Sequence, residues 1–496
     1  MNQHKNTRTA TAMKETIQKY KPSLKEVKKL ASEGNLVPVW REVLADLETP
    51  VSAFLKVSRG EYSFLLESVE GGQRIARYSF IGTEPDKIIT SNKDDKTGPF
   101  QKIKTELQKY KQVPNFSLPP LNGGAVGYLA YETASRFEDL PSPEADPLGL
   151  PEAVFMLSNT MLVFDHVTHK IIILSHAYIQ NDAEAAYEQA TRKIDELEER
   201  LRGPLPTSPS QHLHNNKAEI QSNFSKEEFE KSVMKVKEYI TAGESIQVVL
   251  SQRLAVSTDA APFDIYRALR TINPSPYMFF LQLGDFHILG ASPEILVRVD
   301  GDAVMTRPLA GTRPRGTDEI EDEALGRELL LDEKERAEHI MLVDLGRNDI
   351  GRISEPGSVE VSDLMNIERY SHVMHMVTHV QGKLKPDYTA FDALQSCFPA
   401  GTVSGAPKIR AMQIIAELEH EKRGAYAGAA GYFSHNGNMD MAIAIRTMVM
   451  KDHIAYIQAG CGIVYDSVPE REYQESLNKA RALLKAIEQA EDIYKS

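Results

Sequence analysis

The sequence predicts an α+β fold built from antiparallel sheets. Short apolar and β-branched runs are separated by turn signals, and the Asn436-Gly437 pair between apolar segments 431–434 and 439–450 is typical of a hairpin. A few long amphipathic patterns predict helices. Because strands and helices do not alternate regularly and no glycine-rich phosphate loop is present, the pattern argues against a parallel, nucleotide-binding sheet.

The composition is that of a globular protein of one or two domains. The 496 residues are 42% apolar and 26% charged, so the chain can bury a core without disulfides. The net charge of −13 argues against non-specific nucleic-acid binding. The chain has two cysteines, no apolar run of membrane-spanning length and no secretion signal, so we expect a cytoplasmic protein with no membrane partner.

The first half of the chain is predicted to form its own domain. Residues 1–20 are polar and are expected to be a flexible tail, and the N-terminal domain spans 21–202. Its predicted elements are a serine-capped helix over 23–33, a hairpin of strands 154–164 and 171–179, and a charged helix over 183–202. The proline- and serine-containing stretch 203–223 is predicted to be a linker.

Residues 224–496 are predicted to form a second domain. Its expected helices are 226–242, about 323–345, 408–418 and 470–493. Its expected strands are 245–254, 277–283, 286–289, 295–299, 303–306, 431–434, 439–450 and 454–464. Gly351 is a candidate end for the helix that begins near residue 323.

Two pairs of glutamates stand at helical spacing, Glu335 with Glu338 and Glu472 with Glu475. Residues three apart share one face of a helix, and both predicted helices also carry apolar residues through which they could pack together. Converging carboxylates would suit Mg²⁺, which prefers oxygen ligands and keeps several waters. A solvated helix face is the common alternative, and the spacing alone leaves it open.

Further polar residues indicate an anion-binding site. Small residues and hydroxyls precede predicted helices in 398–408 and 459–462, where backbone N–H groups could bind an anion or could form plain tight turns. Arg446 lies in an otherwise apolar strand, and a buried arginine usually has an anionic partner. His375 is one of three histidines at near-helical spacing in 372–379, which fits a packed or surface residue as well as an acid–base group. The residues alone indicate an α+β enzyme that binds a small anion.

Taken in chain order, five segments closely resemble the motifs of the chorismate-utilising enzyme family. They are 307–316, 335–349, 398–408, 458–463 and 472–480. The resemblance extends from about residue 35 to 485 and implies the family's fold, a sandwich of antiparallel sheets with helices outside. It also implies that 224–496 is the chorismate-binding catalytic domain.

The resemblance implies a Mg²⁺ site made from both glutamate pairs. Glu338 and Glu475 would be the ligands, and Glu335 and Glu472 would hold metal-bound waters. In the family the metal binds the ring carboxylate of chorismate. A cation there would offset the repulsion between that carboxylate and the carboxylates of the enzyme.

The resemblance also implies the residues that bind and convert chorismate. The substrate carboxylates would lie among Thr402, Tyr426, Arg446, Gly460, Gly462 and Lys479. Arg446 suits the enolpyruvyl carboxylate because a guanidinium matches a carboxylate in shape. Glu294 would be the general acid that protonates the departing C4 hydroxyl, assisted by His375. Attack of ammonia at C2 and loss of pyruvate would then give anthranilate, a lyase reaction that begins tryptophan biosynthesis.

Two positions separate the branches of the family. Isochorismate- and salicylate-forming members use a lysine to activate water where this sequence has Gln247, and glutamine cannot take that proton. Aminodeoxychorismate synthases carry a nucleophilic lysine where this sequence has Ala310, which excludes a covalent lysyl intermediate. Both positions favour direct addition of ammonia at C2, the anthranilate-forming reaction.

The resemblance implies a feedback site for L-tryptophan. Its two halves would be segments 65–68 and 273–278, in which an apolar wall lies beside serine and glutamate side chains. The residues expected to bind the inhibitor are Leu66, Glu67, Ser68, Asn273, Pro276, Tyr277 and Met278. A strand end and a proline turn are the structural alternative.

The ammonia is expected to come from a separate glutaminase subunit, component II of such enzymes. Cys461 is the only cysteine between glycines, and no histidine follows it, so the sequence contains no recognisable thiol glutaminase. Two other functions remain as alternatives. Ala310 argues against an aminodeoxychorismate synthase component I, and the intact catalytic acids with His375 argue against a catalytically dead tryptophan-binding subunit.

Overall fold

A computed structural model describes residues 19–68, 77–114, 116–206, 219–370 and 373–493. The helices are α1 (Leu24–Leu30), α2 (Pro50–Val57), α3 (Pro99–Leu107), α4 (Ala183–Arg202), α5 (Lys226–Thr241), α6 (Pro262–Ile272), α7 (Glu319–Leu331), α8 (Glu333–Ile353), α9 (Ala390–Cys397), α10 (Lys408–Leu418) and α11 (Pro469–Ile493). Within these described residues, no helix is both long enough and apolar enough to cross a membrane.

The strands of the first half are β1 (Leu36–Leu44), β2 (Tyr62–Glu67), β3 (Tyr78–Thr83), β4 (Lys87–Ser91), β5 (Gly124–Leu129), β6 (Ala153–Ser158), β7 (Thr160–Asp165), β8 (Lys170–Tyr178) and β9 (Ile220–Ser222). Those of the second half are β10 (Gln247–Ser257), β11 (Tyr277–Leu283), β12 (Phe286–Ser292), β13 (Ile295–Asp300), β14 (Ala303–Thr306), β15 (Leu309–Pro314), β16 (Glu360–Arg369), β17 (Val373–Lys383), β18 (Gly405–Ala406), β19 (Ala429–Ser434), β20 (Met439–Ile443), β21 (Thr447–Lys451) and β22 (Ile454–Ile463).

The strands form two large antiparallel sheets. The 12-stranded sheet runs β1-β8-β7-β3-β2-β11-β12-β21-β22-β10-β18, with β9 beside β10. The 10-stranded sheet runs β15-β17-β14-β13-β20-β19-β5-β6-β4, with β16 beside β17. Both sheets combine strands from before and after the predicted linker, of which residues 207–218 lie outside the described part of the chain, as does most of the predicted tail. The domain boundaries themselves remain a prediction.

Apolar clusters show how the layers pack. One cluster lies between the sheets and joins Phe64 and Phe279 of the larger sheet to Tyr128 and Tyr432 of the smaller one. A second cluster packs α4, α6 and α11 on the outer face of the larger sheet. A third packs α8 and α9 on the outer face of the smaller sheet. The fold is therefore the predicted α+β sandwich with helices outside.

Several predicted elements agree closely with the structure. The helices predicted over 183–202, 226–242 and 408–418 correspond to α4, α5 and α10. The helix predicted from residue 23 is α1, whose Ser23 side chain accepts a hydrogen bond from the backbone N–H of Glu26 in a capping box. Strong periodicity and a polar cap are local signals, so they are readable without the tertiary structure.

Two predicted strands are each two strands. The apolar run 154–164 divides at Asn159, where the chain leaves β6 in the smaller sheet and enters β7 in the larger one, so only β7 and β8 form the predicted hairpin. The run 439–450 divides in the same way between β20 and β21. Both runs are nearly continuous in apolar residues because each half is buried, and periodicity cannot reveal such a crossing.

The helix predicted over 323–345 is also two helices. Asp332 ends α7 and caps α8, and its side chain accepts hydrogen bonds from the backbone N–H groups of Lys334 and Glu335. The helix α8 continues through Gly351 to Ile353, so Gly351 does not end it. The cap residue was a usable signal, but the amphipathic pattern on both sides of it concealed the break.

The histidine segment is a strand and not a helix. His375 and His379 lie on β17, and His372 lies outside the described residues. His375 and His379 therefore do not share a helix face, although their spacing is near-helical. His375 is buried and His379 is half-buried.

Candidate active site

The predicted catalytic and substrate-binding residues meet beside the starts of α8 and α11. Gln247 of β10 donates from Nε2 to Oε1 of Glu338 on α8 at 3.1 Å. Lys479 of α11 donates from Nζ to the carbonyl oxygen of Gly460 on β22 at 3.0 Å. The start of β10 and the end of β22 thus meet the first halves of α8 and α11 at one site.

Glu294 is a buried carboxyl between β12 and β13. The Thr402 hydroxyl donates to its Oε2 atom at 3.2 Å, and its backbone carbonyl accepts from the N–H of Ile443 at 3.0 Å. Burial raises the pKa of Glu294 to about 8, although the Thr402 hydrogen bond opposes this rise. The side chain is therefore a carboxylic acid at neutral pH and can donate a proton, as the predicted general acid must.

His375 on β17 is held in one tautomer. Its Nδ1 atom lies 3.0 Å from the carbonyl oxygen of Gly311 and 3.1 Å from the Thr312 hydroxyl. A carbonyl oxygen only accepts hydrogen bonds, so Nδ1 carries the proton and Nε2 keeps a lone pair. Burial lowers the pKa of His375 to about 4; the Gly311 hydrogen bond opposes this fall, and the nearby Arg446 cation contributes to it. The imidazole is neutral at pH 7 and can accept a proton at Nε2.

The two branch-determining positions are both buried. Gln247 packs against Gly462, where an added Cβ atom would lie 2.2 Å from the Gln247 amide nitrogen, so a larger residue there would displace the Gln247 amide. The Gln247 Oε1 atom is buried and has no hydrogen-bond partner among the described residues. Ala310 of β15 is 7% exposed and pairs with Met376 of β17. Neither side chain can act as a base or a nucleophile.

Arg446 lies where the chain crosses from β20 to β21, not inside a strand as predicted. Its φ is 51°, a left-handed conformation that costs a non-glycine residue energy and is common at functional sites. Within the described residues, the hydrogen bond of its guanidinium is a long one from Nη1 to the carbonyl oxygen of Lys479 at 3.5 Å. Burial lowers the pKa of Arg446, and Tyr426 and Glu475 oppose this fall. Glu475 forms its ion pair with Lys479, and in the described part of the chain no carboxylate forms one with Arg446. A poorly solvated cation without an anionic partner is suited to an anionic ligand.

The segment 398–408 is fixed at both ends. Thr402 lies in a 3₁₀ turn over Gly401–Val403 and bonds to Glu294. Lys408, at the start of α10, donates to Oδ2 of Asp349 at 2.8 Å and to the carbonyl oxygen of Cys397 at 3.3 Å. Lys408 is thus used for structure, although its motif is part of the family resemblance.

Tyr426 and Gly460 approach each other closely. A Cβ atom on Gly460 would lie 2.9 Å from the Tyr426 hydroxyl oxygen and 2.5 Å from the carbonyl oxygen of Leu250. Any side chain at Gly460 would push Tyr426 away, so glycine is required here for steric reasons. Burial raises the pKa of Tyr426, so the hydroxyl stays protonated and able to donate.

Each glutamate pair lies near the start of its helix, and the two carboxylates within each pair repel each other. Burial raises the pKa of Glu335, and the Glu338 charge adds to the rise. Burial likewise raises the pKa of Glu472, and the Glu475 charge adds to that rise. The cation of Lys334 on α8 opposes the rise at Glu472 on α11, which shows that the two helix starts are near neighbours.

A magnesium ion bound by these carboxylates would have few ligands from the protein. Within the described residues, no group of three or more acidic, histidine or cysteine side chains converges to hold a metal. Glu475 is paired with Lys479 at 2.8 Å, and Glu338 accepts from Gln247. Mg²⁺ typically takes one or two carboxylates as ligands and keeps several waters. Glu338 and Glu475, each repelled by a neighbouring glutamate, match that ligand set.

A second cavity, of about 370 Å³, lies away from these residues. It includes six of the seven residues predicted to bind the inhibitor, namely Leu66, Glu67, Ser68, Pro276, Tyr277 and Met278. Asn273 does not line the cavity; it lies at the end of α6, where its N–H donates to the carbonyl oxygen of Leu269. The volume is sufficient for a small aromatic molecule.

The charged groups of this second cavity are paired. Arg298 forms an ion pair with Asp440 at 2.6 Å, and the Tyr277 hydroxyl donates to Asp440 at 3.2 Å. The Glu67 carboxylate accepts from the Tyr266 hydroxyl at 2.6 Å and from Arg270 Nε at 3.2 Å. Glu67 is predicted to bind the inhibitor, and its carboxylate therefore already has two hydrogen-bond donors.

Sequence reasoning missed several residues that support the site. Gly311 and Thr312 orient His375, and Arg313 contacts Glu335 at 3.5 Å. All three directly follow Ala310 within a recognised motif, so the motif was the available signal. No sequence signal identifies Lys334, because nothing in the neighbouring residues indicates that it lies near Glu472.

Comparisons with known proteins agree with this geometry. A model of the chorismate binding enzyme family matches residues 61–485. Anthranilate synthase component 1 of Acetivibrio thermocellus is 52% identical over 490 residues, covering 95% of this chain and 99% of that protein. The protein of the same name from Aquifex aeolicus is 48% identical over 486 residues, covering 95% and 98%.

Solved structures give the same result. The crystal structure of anthranilate synthase component I from Streptococcus pneumoniae matches with a TM-score of 0.75 at 40% identity, over 89% of this chain and 98% of that one. The menaquinone-specific isochorismate synthase of Escherichia coli matches with a TM-score of 0.71 at 21% identity, over 94% and 98%, and so shows the fold alone. From the site geometry and these matches together, the chain belongs to the chorismate binding enzyme family.

Proposed function

We propose that this chain converts chorismate and ammonia to anthranilate, pyruvate and water, as the chorismate-using component of an anthranilate synthase in tryptophan biosynthesis. The observation that carries the proposal is Glu294, a buried carboxylic acid with its pKa raised to about 8. It shares the site with a buried cation, Arg446, that forms no ion pair in the described part of the chain, since the nearby Glu475 pairs with Lys479. The first group supplies a proton, and the second suits a substrate carboxylate.

Binding of chorismate would use the polar groups of the site. Arg446 and Lys479, which are neighbours, supply cations, and Tyr426 and Thr402 supply hydroxyl groups. The fork of Arg446 matches the enolpyruvyl carboxylate, and its left-handed backbone holds it at the crossing between the sheets. Gly460 and Gly462 keep the strand end open to the ligand because a side chain at either position would meet Tyr426 or Gln247.

Mg²⁺ is part of the proposal. Glu338 and Glu475 would hold it, with Glu335 and Glu472 bonded to its waters. When bound, the cation supplies charge neutralisation for the ring carboxylate of chorismate. The repulsion within each glutamate pair supports this assignment, because a cation relieves it.

The residues of the chain carry the proton movements. Glu294 donates its proton to the C4 hydroxyl, which leaves as water while the nitrogen of ammonia bonds to C2. The neutral His375 accepts a hydrogen bond at Nε2 near the same hydroxyl. The added nitrogen then loses its extra proton, and the C2 proton leaves to a base as the C3–O bond breaks. The released enolpyruvate takes up a proton to become pyruvate, and the ring becomes aromatic. Gln247 and Ala310 do not compete, since neither activates water nor attacks the ring.

The chain is expected to act in the cytoplasm with a partner. Ammonia would come from a separate glutaminase component, and free ammonium would replace it in the test tube. L-Tryptophan would bind in the second cavity as a feedback inhibitor, with its ring on the apolar wall of Leu66, Pro276 and Met278.

The test is product formation by the purified chain. Chorismate, MgCl₂ and ammonium chloride are supplied near pH 8, the fluorescence of anthranilate is followed, and the product isomer is identified by chromatography. Anthranilate that forms only with Mg²⁺ and ammonium would support the proposal. A para-substituted product would instead support the aminodeoxychorismate synthase alternative, and a hydroxylated product would contradict the reading of Gln247.

A further inference from the structure

A buried ion pair lies beneath the site and has no part in the proposed chemistry. Arg423 donates from Nε to Oε2 of Glu419 at 2.8 Å and from Nη2 to Oε1 at 2.7 Å. The two side chains are 1% and 3% exposed. Glu419 directly follows α10, and Arg423 lies in the segment that leads to Tyr426.

The guanidinium also joins two backbone segments. Nη1 donates to the carbonyl oxygen of Val403 at 2.7 Å, and Nη2 donates to that of Val249 at 2.7 Å. Val403 adjoins Thr402, and Val249 lies two residues after Gln247 on β10. One side chain therefore fixes the distance between the Thr402 turn and the strand that carries Gln247.

The glutamate extends the network to a third segment. Oε1 of Glu419 accepts from the backbone N–H of Ser251 at 2.8 Å and from its hydroxyl at 2.9 Å. The same hydroxyl accepts from Gln458 Nε2 at 2.8 Å. Ser251 of β10 is paired with Gly460 of β22, so the network ends beside the glycine that faces Tyr426.

The faces of the guanidinium contact aromatic rings. Arg423 lies 4.7 Å from the ring centre of Tyr131 and 5.6 Å from that of Tyr426. Stacking of this kind orients the Tyr426 ring, whose hydroxyl approaches Gly460. Arg423 and Glu419 therefore hold Thr402, Tyr426, Gly460 and the strand of Gln247 without touching the ligand.

Stability alone is a weak explanation for such a pair. Moving two charges out of water is costly, and well-packed apolar residues often stabilise a fold as well as a buried ion pair does. What apolar residues cannot supply is a planar fork that bonds a carboxylate and two carbonyl groups at fixed angles. The pair is thus better suited to defining a geometry than to adding stability.

We propose that Arg423 and Glu419 are positioning residues that hold the chorismate-binding segments in register. The inference rests on the proposed function, since it takes chorismate as the substrate. Arg423 and Glu419 would set the distance from the hydroxyl groups of Thr402 and Tyr426 to the strand end at Gly460. Loss of that spacing weakens substrate binding and slows the reaction together.

Arg423→Lys is the test variant, because lysine keeps the charge and loses the planar fork. Arg136→Lys is the matched control: Arg136 bonds the Glu152 carboxylate at 2.9 and 2.7 Å and backbone carbonyl groups at Asn92, Lys93 and Asp95, away from the site. We expect Arg423→Lys to raise KM for chorismate at least about tenfold and to lower kcat. Arg136→Lys should leave both within about twofold.

The split between KM and kcat separates positioning from folding. A purely structural role would reduce the folded fraction and hence the apparent kcat, but would leave KM unchanged. Folding is therefore checked by thermal melts, and chorismate affinity is measured by calorimetry alongside turnover. A folded Arg423→Lys chain with wild-type KM and kcat would overturn the proposal.

A second variant covers the case in which Arg423→Lys does not fold. Glu419→Gln keeps an oxygen acceptor for Ser251 and removes the charge pairing, and the same rise in KM is expected. If neither variant folds while Arg136→Lys does, the pair is a stability element and the positioning role is wrong. If the wild-type chain binds chorismate without forming anthranilate, the proposed reaction fails, and the inference is then judged on affinity. A wild-type chain that does not bind chorismate overturns both.

Discussion

The active site and the second cavity differ in how their charges are paired. In the active site Arg446 has no ion-pair partner in the described residues, and the glutamates on α8 and α11 repel their neighbours. In the second cavity Arg298 is paired with Asp440, and Glu67 is paired with Arg270. The two regions are joined by β13, which starts directly after Glu294 and carries Arg298.

The difference corresponds to the ligands we propose. A dianion with a metal ion brings charges of both signs with it, so the active site can leave Arg446 without an ion-pair partner and can keep repelling carboxylates close together. An amino acid such as tryptophan has no net charge, and a cavity for it needs apolar walls and charges that are already balanced. The cost of an unpaired buried charge explains why it persists only where a ligand compensates for it.

The largest effect is expected when the active site loses its acidic proton. Glu294→Gln keeps the shape but cannot act as an acid, and we expect kcat to fall by about 10²–10⁴-fold. Steady-state kinetics with chorismate and ammonium measure this, and tryptophan binding followed by calorimetry should be unchanged. A variant that retains more than about a tenth of wild-type kcat would exclude Glu294 as the general acid.

The metal assignment is tested on α8. Glu338→Gln should lower turnover by at least about 10–100-fold and raise the Mg²⁺ concentration needed for half-maximal activity, because a charged ligand is lost. Magnesium titrations of activity and direct Mg²⁺ calorimetry provide two readouts. Glu333→Gln, on an exposed glutamate of the same helix, is the control. Equal Mg²⁺ dependence in both variants would remove Glu338 from the site.

Paired and unpaired arginines should respond in opposite ways. Arg446→Met should weaken chorismate binding by roughly 10–100-fold, the loss of a charge-assisted hydrogen bond, while stability changes little. Arg298→Met should leave KM for chorismate unchanged and lower the free energy of unfolding by about 1–3 kcal/mol, because Asp440 loses its partner. Denaturant melts and kinetics on both variants measure this. Similar stability losses in the two would show that the charges are not paired as described.

The pH dependence concerns the active site alone. Glu294, with its pKa raised to about 8, must be protonated, so kcat/KM should fall as the pH rises through about 8. His375, with its pKa lowered to about 4, must be neutral, so kcat/KM should fall as the pH drops through about 4. The rate is measured at a constant concentration of free ammonia. A profile flat from pH 7 to 10 would contradict the acid role of Glu294.

The smallest effect is expected in the second cavity. Ser68→Ala should leave turnover intact and weaken tryptophan inhibition about tenfold, the value of one hydrogen bond. Inhibition curves at fixed chorismate provide the measurement, and Ser32→Ala, in the exposed turn after α1, is the control. Inhibition equal to wild type would place Ser68 outside the inhibitor site.

Much of the fold was readable from local signals. The helices α4, α5 and α10 follow from periodicity and caps, and the antiparallel sheets follow from the turn chemistry. The two mispredicted strands have one cause: at Asn159 and at residues 444–446 the chain crosses from one sheet to the other inside an apolar run. Burial on both sides makes such a run look like a single strand, so only the tertiary structure reveals the crossing.

The candidate site was readable as a set of residues, because its motifs occur in chain order and carry acids, glycines and hydroxyls. The sequence identifies which groups are present, including Gln247 and Ala310, which cannot act as a base or a nucleophile. The protonation states and positions of these groups depend on the tertiary structure. It buries Glu294 and so raises its pKa, and it fixes the His375 tautomer through Gly311. It also brings Arg423 beneath Tyr426. Burial and long-range contacts set protonation and position, and neither is encoded in a local pattern.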